Sequence, residues 1–193
     1  MSRAEQHHLT HVDEAGAARM VDVSAKDVTA RTARAVGRVL VSPRVVELLR
    51  NEGMPKGDAL AVARIAGIMG AKKTPELIPL CHPLALSGVH LDVSVATDAV
   101  ELAATVRTTD RTGVEMEALT AVTVAALTVV DMVKAVDKGA AITDVRVMEK
   151  TGGASGDWTR PDDDNRVDDH NRAKTPSARA DDVSADDSPR QEA

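Results

Sequence analysis

Apolar and polar positions alternate over residues 86–96, 100–108 and 142–150, the period of two expected when successive side chains point to opposite faces of a sheet. Residues 29–41 join them through a β-branched, partly alternating end, although their Ala/Arg half would also suit a helix. The Thr-Asp region between 86–96 and 100–108 predicts a hairpin. Helices are predicted between the strands. Ser42-Pro43 supplies an N-cap and first-turn proline for a short helix over 44–50, and Asp58 can cap a helix over 59–71. Thr74-Pro75 starts a single turn. Thr112-Gly-Val-Glu115 matches a capping box that would open a long helix, and Gly139 could close it. Leaving out the short helix, the order is β-α-β-β-α-β. That order predicts an α+β, ferredoxin-like domain: an antiparallel sheet with helices on one face.

The long helix, residues 113–136, carries its charges near its ends. Glu115 and Glu117 open it; Asp131 and Lys134 lie near its close. At 100° per residue, Glu117 and Asp131 fall about 40° apart, with Lys134 about 60° further round. Leu119, Val122, Ala126, Val129, Val130 and Val133 form an apolar stripe opposite. The face holding Glu117, Thr120, Ala121, Val124, Thr128 and Asp131 is small and polar, which suggests cover by a partner subunit or a ligand. Fourteen residues of helix span roughly 21 Å. One small ligand could hardly touch Glu117 and Asp131 of the same chain, so a site using both predicts two chains per site and an obligate oligomer.

Composition narrows the function classes. The 193 residues carry net charge −6, with one Trp and neither Phe nor Tyr. Base-stacking platforms are therefore scarce, and an acidic chain is a poor general nucleic-acid binder. One Cys leaves no internal disulfide framework or multi-Cys zinc site. The apolar run 118–130 is too short to span a bilayer and no secretory leader is legible, so a soluble, cytoplasmic protein without membrane contact is expected. From residue 159 onward, ten Asp/Glu stand against six Lys/Arg with almost no large apolar side chain. We expect one catalytic domain over 1–158, loose in its first ten residues, and a disordered acidic tail over 159–193.

Asp131 and Lys134, three apart on a helix, can be a plain surface ion pair or a general acid/base couple tuned by each other. Glu115 has a structural use as the reciprocal member of the capping box; Glu117 has none. Leu77-Ile-Pro-Leu-Cys-His-Pro83 reads as a rigid loop that presents His82, either to a ligand or to backbone. Cys81 and His82 point apart in extended chain, which disfavours a nucleophilic couple, and no zinc set is expected. His7, His8 and His11 are too near the terminus to suggest a metal site. Lys56, Arg64, Lys72, Lys73 and Lys150, the last leading into Thr-Gly-Gly-Ala-Ser-Gly156, suggest a local anion site in an acidic protein.

Met20-Val-Asp-Val-Ser24, Lys56-Gly-Asp58, Ala63-Arg-Ile-Ala-Gly67, Leu77–Pro83 as above, Thr112-Gly-Val-Glu-Met-Glu-Ala-Leu-Thr120, Asp131-Met-Val-Lys-Ala135 and Lys150-Thr-Gly-Gly-Ala-Ser-Gly-Asp157 resemble the cyclic pyranopterin monophosphate synthase (MoaC) family of molybdenum cofactor biosynthesis. The resemblance covers residues 9–158; Val133 and the acidic tail depart from it. It implies a phosphorus–oxygen lyase that converts 3′,8-cyclo-7,8-dihydroguanosine 5′-triphosphate to the cyclic monophosphate and releases diphosphate. By motif, Asp131 is the catalytic acid/base with Lys134 as its partner. Leu80, Cys81, His82, Met116 and Glu117 hold substrate, and Glu115, Lys56 and Lys150 complete the pocket. The family implies a homohexamer, a trimer of dimers with sites at the dimer interface. No cofactor is required, although Mg²⁺ could accompany the triphosphate. The rival reading is a ferredoxin-like module that senses a small molecule without turning it over.

Overall fold

The computed structural model describes residues 16–52 and 54–161. Its four long strands fall where alternation placed them: β1 (Thr29–Leu40), β2 (Leu86–Val95), β3 (Ala99–Asp110) and β4 (Ala141–Thr151). The rival helical reading of β1 fails because its whole length pairs with β3, from Thr29 opposite Asp110 to Leu40 opposite Ala99. A short strand that alternation did not reveal, β5 (Trp158–Thr159), adds to β4 through Lys150 and Glu149. The sheet order is β2-β3-β1-β4-β5, antiparallel at each pairing. Its first four strands have the ferredoxin-like arrangement.

Helices α1 (Pro43–Glu47), α2 (Ala59–Lys72), α3 (Thr74–Leu77) and α4 (Glu115–Val133) connect the strands, and a π-helical turn, Leu48–Glu52, follows α1. Asp58 caps α2 as its position suggested, its carboxylate accepting the Ala61 N–H at 2.9 Å. Both long helices lie on one face of the sheet, α4 over β1, β3 and β4, and α2 over β2 and beside α4. With no Phe or Tyr, the core is a fine-grained packing of Ala33, Ala35 and Val39 from β1, Leu102, Ala104 and Val106 from β3, and Val122, Ala126, Val129 and Val133 from α4. Gly37 admits α4 to the sheet: a Cβ there would come within 2.6 Å of Val122 Cγ1.

The small face of α4 is covered by neither of the expected occupants. The same chain's α2 lies against it, with Gly67 directly over the Ala121 carbonyl and Gly70 over Val124. A Cβ on Gly67 would approach that carbonyl to 2.7 Å and overlap Leu91. Small residues on both helices are what such a close approach needs. The hydroxyls on this face are spent within the helix: Thr120 donates to the Met116 carbonyl and Thr128 to the Val124 carbonyl, each at 2.8 Å.

Three local expectations are corrected. The capping box does not form: Val114 is the N-cap of α4 and no side chain caps it, so Glu115 is free for other partners. Gly139 does not close α4, which ends at Val133; its N–H instead donates to Asp137 within the next turn. The ordered chain also continues past residue 158, since Thr159 pairs with Glu149 and the Arg160 N–H donates to the Met148 carbonyl. The N-terminal histidines and the acidic stretch 162–193 lie outside the described residues. At 19 residues and mean hydropathy 1.7, α4 is long and apolar enough to cross a membrane, but 56% of that window is buried inside this fold.

Candidate active site

The two ends of α4 carry separate clusters. At the C-terminal end, Lys134 Nζ lies 2.7 Å from Asp131 Oδ1, and Lys56 Nζ lies 3.0 Å from Oδ2. Lys56 also donates to the Asp131 backbone carbonyl at 2.8 Å. Sequence reasoning paired Asp131 with Lys134 and left Lys56 in an anion site; the fold brings all three together. Lys56 arrives on a tight turn in which the Gly57 N–H donates to the Met54 carbonyl, with Gly57 at φ +94°. Each carboxylate oxygen thus faces one ammonium group. Lys134 first, then Lys56, hold the Asp131 carboxyl below its ordinary range. The trio is open to solvent, with the Asp131 side chain 56% exposed.

At the N-terminal end lies a cavity of about 410 Å³. Leu80, Cys81 and His82 come to it from the proline-flanked loop, and Glu115, Met116 and Glu117 from the first turn of α4. Val21, Val23 and Lys26 close it from the segment that precedes β1. His82 is fixed there by its Nε2–H, which donates to the Val21 carbonyl at 2.8 Å. Backbone therefore satisfies His82, which also lines the cavity. Glu117 is only 3% exposed. Burial pushes its carboxyl up, with Glu115 adding to the effect. Burial also raises the Cys81 thiol, and Glu117 raises it further, so this cysteine is a poor nucleophile.

A second cavity, about 230 Å³, shares Lys26, Thr112, Gly113 and Glu115 with the first. Arg31, Lys150, Gly152 and Ser155 line the rest of it. Lys150 donates to Ser155 Oγ at 3.0 Å and lies 3.4 Å from Glu115 Oε1. The Glu115 carboxylate occupies the space a Cβ on Gly113 would need. The glycine loop is shaped by Gly152 at φ +85°, where a Cβ would strike the Ala30 carbonyl. These cations with a hydroxyl and a glycine turn suit an anion.

The expected substrate-holding and catalytic groups therefore fall at one end or the other as a set: Leu80, Cys81, His82, Met116, Glu117, Glu115 and Lys150 here; Asp131, Lys134 and Lys56 there. Lys26 and Arg31 were missed. Neither sits in an unusual pattern in the sequence, and Arg31 reaches its place only through pairing of β1 with β3, donating to the Asp110 and Arg111 carbonyls. A further hollow of about 250 Å³ on the open face of the sheet holds none of the candidate residues.

Residues 20–153 match the model of the MoaC family. A protein of Streptomyces coelicolor named cyclic pyranopterin monophosphate synthase is 85% identical over 155 residues, 80% of this chain and 91% of that protein. A Nocardioides protein of the same name is 75% identical over 79% of this chain and 96% of its own length. A Mycobacterium tuberculosis protein, cyclic pyranopterin monophosphate synthase 2, is 62% identical over 79% and 91%. The match runs through both ends of α4, and the chain belongs to the MoaC family.

Proposed function

We propose that this chain makes cyclic pyranopterin monophosphate, the product for which its relatives are named, in molybdenum cofactor biosynthesis. The substrate is 3′,8-cyclo-7,8-dihydroguanosine 5′-triphosphate. The single observation that carries the residue-level account is the division of α4: a charged, open trio at Asp131 and a half-closed cavity at Glu117, roughly 21 Å apart. One nucleotide cannot use both ends of one chain. We therefore place each site between two chains, the cavity of one facing the Asp131 trio of the other, in a homo-oligomer.

The chemistry divides in the same way. The cavity lined by Leu80, His82, Met116 and Glu117 takes the purine-derived ring, with His82 Nδ1 and the Glu117 carboxyl available to its polar edge. The neighbouring cavity, with Lys150, Lys26 and Arg31, takes phosphate oxygens. Asp131 and Lys134 exchange protons with the ring as it opens and is rebuilt. Held low by two ammonium groups, Asp131 is a weak base in the free chain; phosphates that compete for Lys56 would relax that hold and move its carboxyl toward a useful range. Attack of the ribose-derived hydroxyl on the α-phosphorus forms the cyclic ester as the α–β phosphoanhydride bond breaks and diphosphate departs. Cations near the leaving oxygens offset the charge that develops. No net electrons move, so no redox cofactor is required; Mg²⁺ could accompany the triphosphate. The protein is expected in the cytoplasm with its small-molecule substrate.

Incubating the pure chain with the cyclised nucleotide tests this reading. Stoichiometric diphosphate and cyclic monophosphate are expected; tight binding without diphosphate release would support a sensing module instead.

A further inference from the structure

The turn between β4 and β5 frames the second cavity, and it is built from very free backbone. Gly152, Gly153 and Gly156 have φ of +85°, +81° and +67°. Glycine reaches these values without strain, but for the same reason a glycine loop has many other shapes open to it. Pairing of Trp158 with Lys150 brings the two ends of the loop together. Within it, the Gly156 N–H donates to the Gly153 carbonyl at 3.1 Å, and Lys150 donates to Ser155 Oγ. Across its mouth, Asp157 Oδ1 accepts the Gly152 N–H at 2.9 Å. Asp157 is itself exposed and lies outside the cavity lining, whereas Gly152 and Ser155 belong to it. The loop also seats a cation, because the Arg31 guanidinium fills the space that a Cβ on Gly153 would take.

We propose that Asp157 is a positioning residue for the anion cavity. By accepting the Gly152 N–H, it holds the glycine loop in the shape that presents Lys150, Ser155 and Arg31 together to phosphate oxygens. The proposal rests on the reading that this cavity takes phosphate. Its role is geometric, and charge opposes it: a carboxylate beside a phosphate site repels the ligand, weakly where solvent screens it. An asparagine amide oxygen could accept the same N–H without that repulsion. Geometry and charge therefore predict opposite results for alanine: weaker anion binding if the acceptor matters, tighter binding if only the charge does.

Calorimetric titration of the full chain with inorganic diphosphate is the test, with thermal unfolding followed by circular dichroism alongside. Asp157→Ala should weaken diphosphate binding roughly three- to tenfold, the loss expected for one hydrogen bond to a charged acceptor in an exposed loop. Its KM for the cyclised nucleotide should rise by a similar factor. Asp157→Asn should bind diphosphate as well as the wild type or better, rescuing the alanine defect. Tighter binding by both variants would show that Asp157 acts through its charge, and would overturn the proposal. So would a lowered Tm in Asp157→Ala with diphosphate affinity unchanged, since the carboxylate would then only brace the fold. A wild-type chain that binds no diphosphate would instead remove the phosphate reading of this cavity, and the role of Asp157 with it.

Discussion

The two ends of α4 place carboxylates in opposite circumstances. Glu117 is buried beside a cavity of mixed lining, and desolvation drives its carboxyl up. Asp131, on the same helix, is exposed and gripped by two ammonium groups, which drive its carboxyl down. Residue type is nearly the same at both positions, so environment alone divides the roles. Glu117 therefore keeps its proton to higher pH than an ordinary carboxyl, and Asp131 loses its proton more readily than one. The lesson is that surroundings alone can push two carboxyls on one helix in opposite directions.

The largest effect expected is at the open end. Asp131→Asn should cut product formation by about 10³-fold or more while the circular dichroism spectrum and assembled mass stay unchanged. An effect below tenfold would take the proton-transfer role away from this residue. Next comes the joint that separates the ends. Gly67→Val forces a branched side chain into the Ala121 carbonyl and Leu91, and should cost about 2–3 kcal/mol in denaturant unfolding. A neutral result would show that α2 and α4 are less tightly docked than their glycines imply.

At the buried end, Glu117→Gln should lower activity roughly 10- to 100-fold yet raise thermal stability by a few degrees. The sign follows from the direction of the shift. A carboxyl raised by burial penalises the folded state once pH exceeds that raised value, so wild-type stability falls as pH climbs from the ordinary carboxylate range through it. The glutamine variant should lack that fall. Asp131 behaves in the opposite sense: its ion pairs contribute above its unfolded value and are lost only as pH drops through its depressed folded value. Asp131→Asn should thus flatten stability at the acid end alone, by a smaller amount because the group is exposed.

Much of this was legible in the sequence. Period-two alternation marked the four long strands because one face of the sheet is packed and the other is not. Asp58 marked the start of α2 through its own chemistry. What failed shares one cause: a pattern says that a face is covered without saying by what. The small side chains of α4 were read as awaiting a partner or ligand, when Gly67 and Gly70 of α2 already fill that space. Thr112 and Glu115 had the spacing of a capping box, but the Glu115 carboxylate lies over Gly113 and pairs with Lys150. Gly139 looked like a helix stop, although α4 had ended at Val133. Lys26 became visible only once the segment before β1 was laid along the cavity, and Arg31 only once β1 was paired with β3. The glutamate–aspartate spacing, by contrast, depended only on helical rise, and the separation it implied survived.

That separation is tested most directly by mixing. Chains carrying Asp131→Asn and chains carrying Glu117→Gln are co-expressed, and the purified mixture is assayed for cyclic monophosphate. With each site drawn from both members of a two-fold pair, mixed pairs hold one intact site, and random association should restore about a quarter of wild-type activity. Activity no greater than that of the two parents would mean that each chain works alone, and the shared site would have to be abandoned.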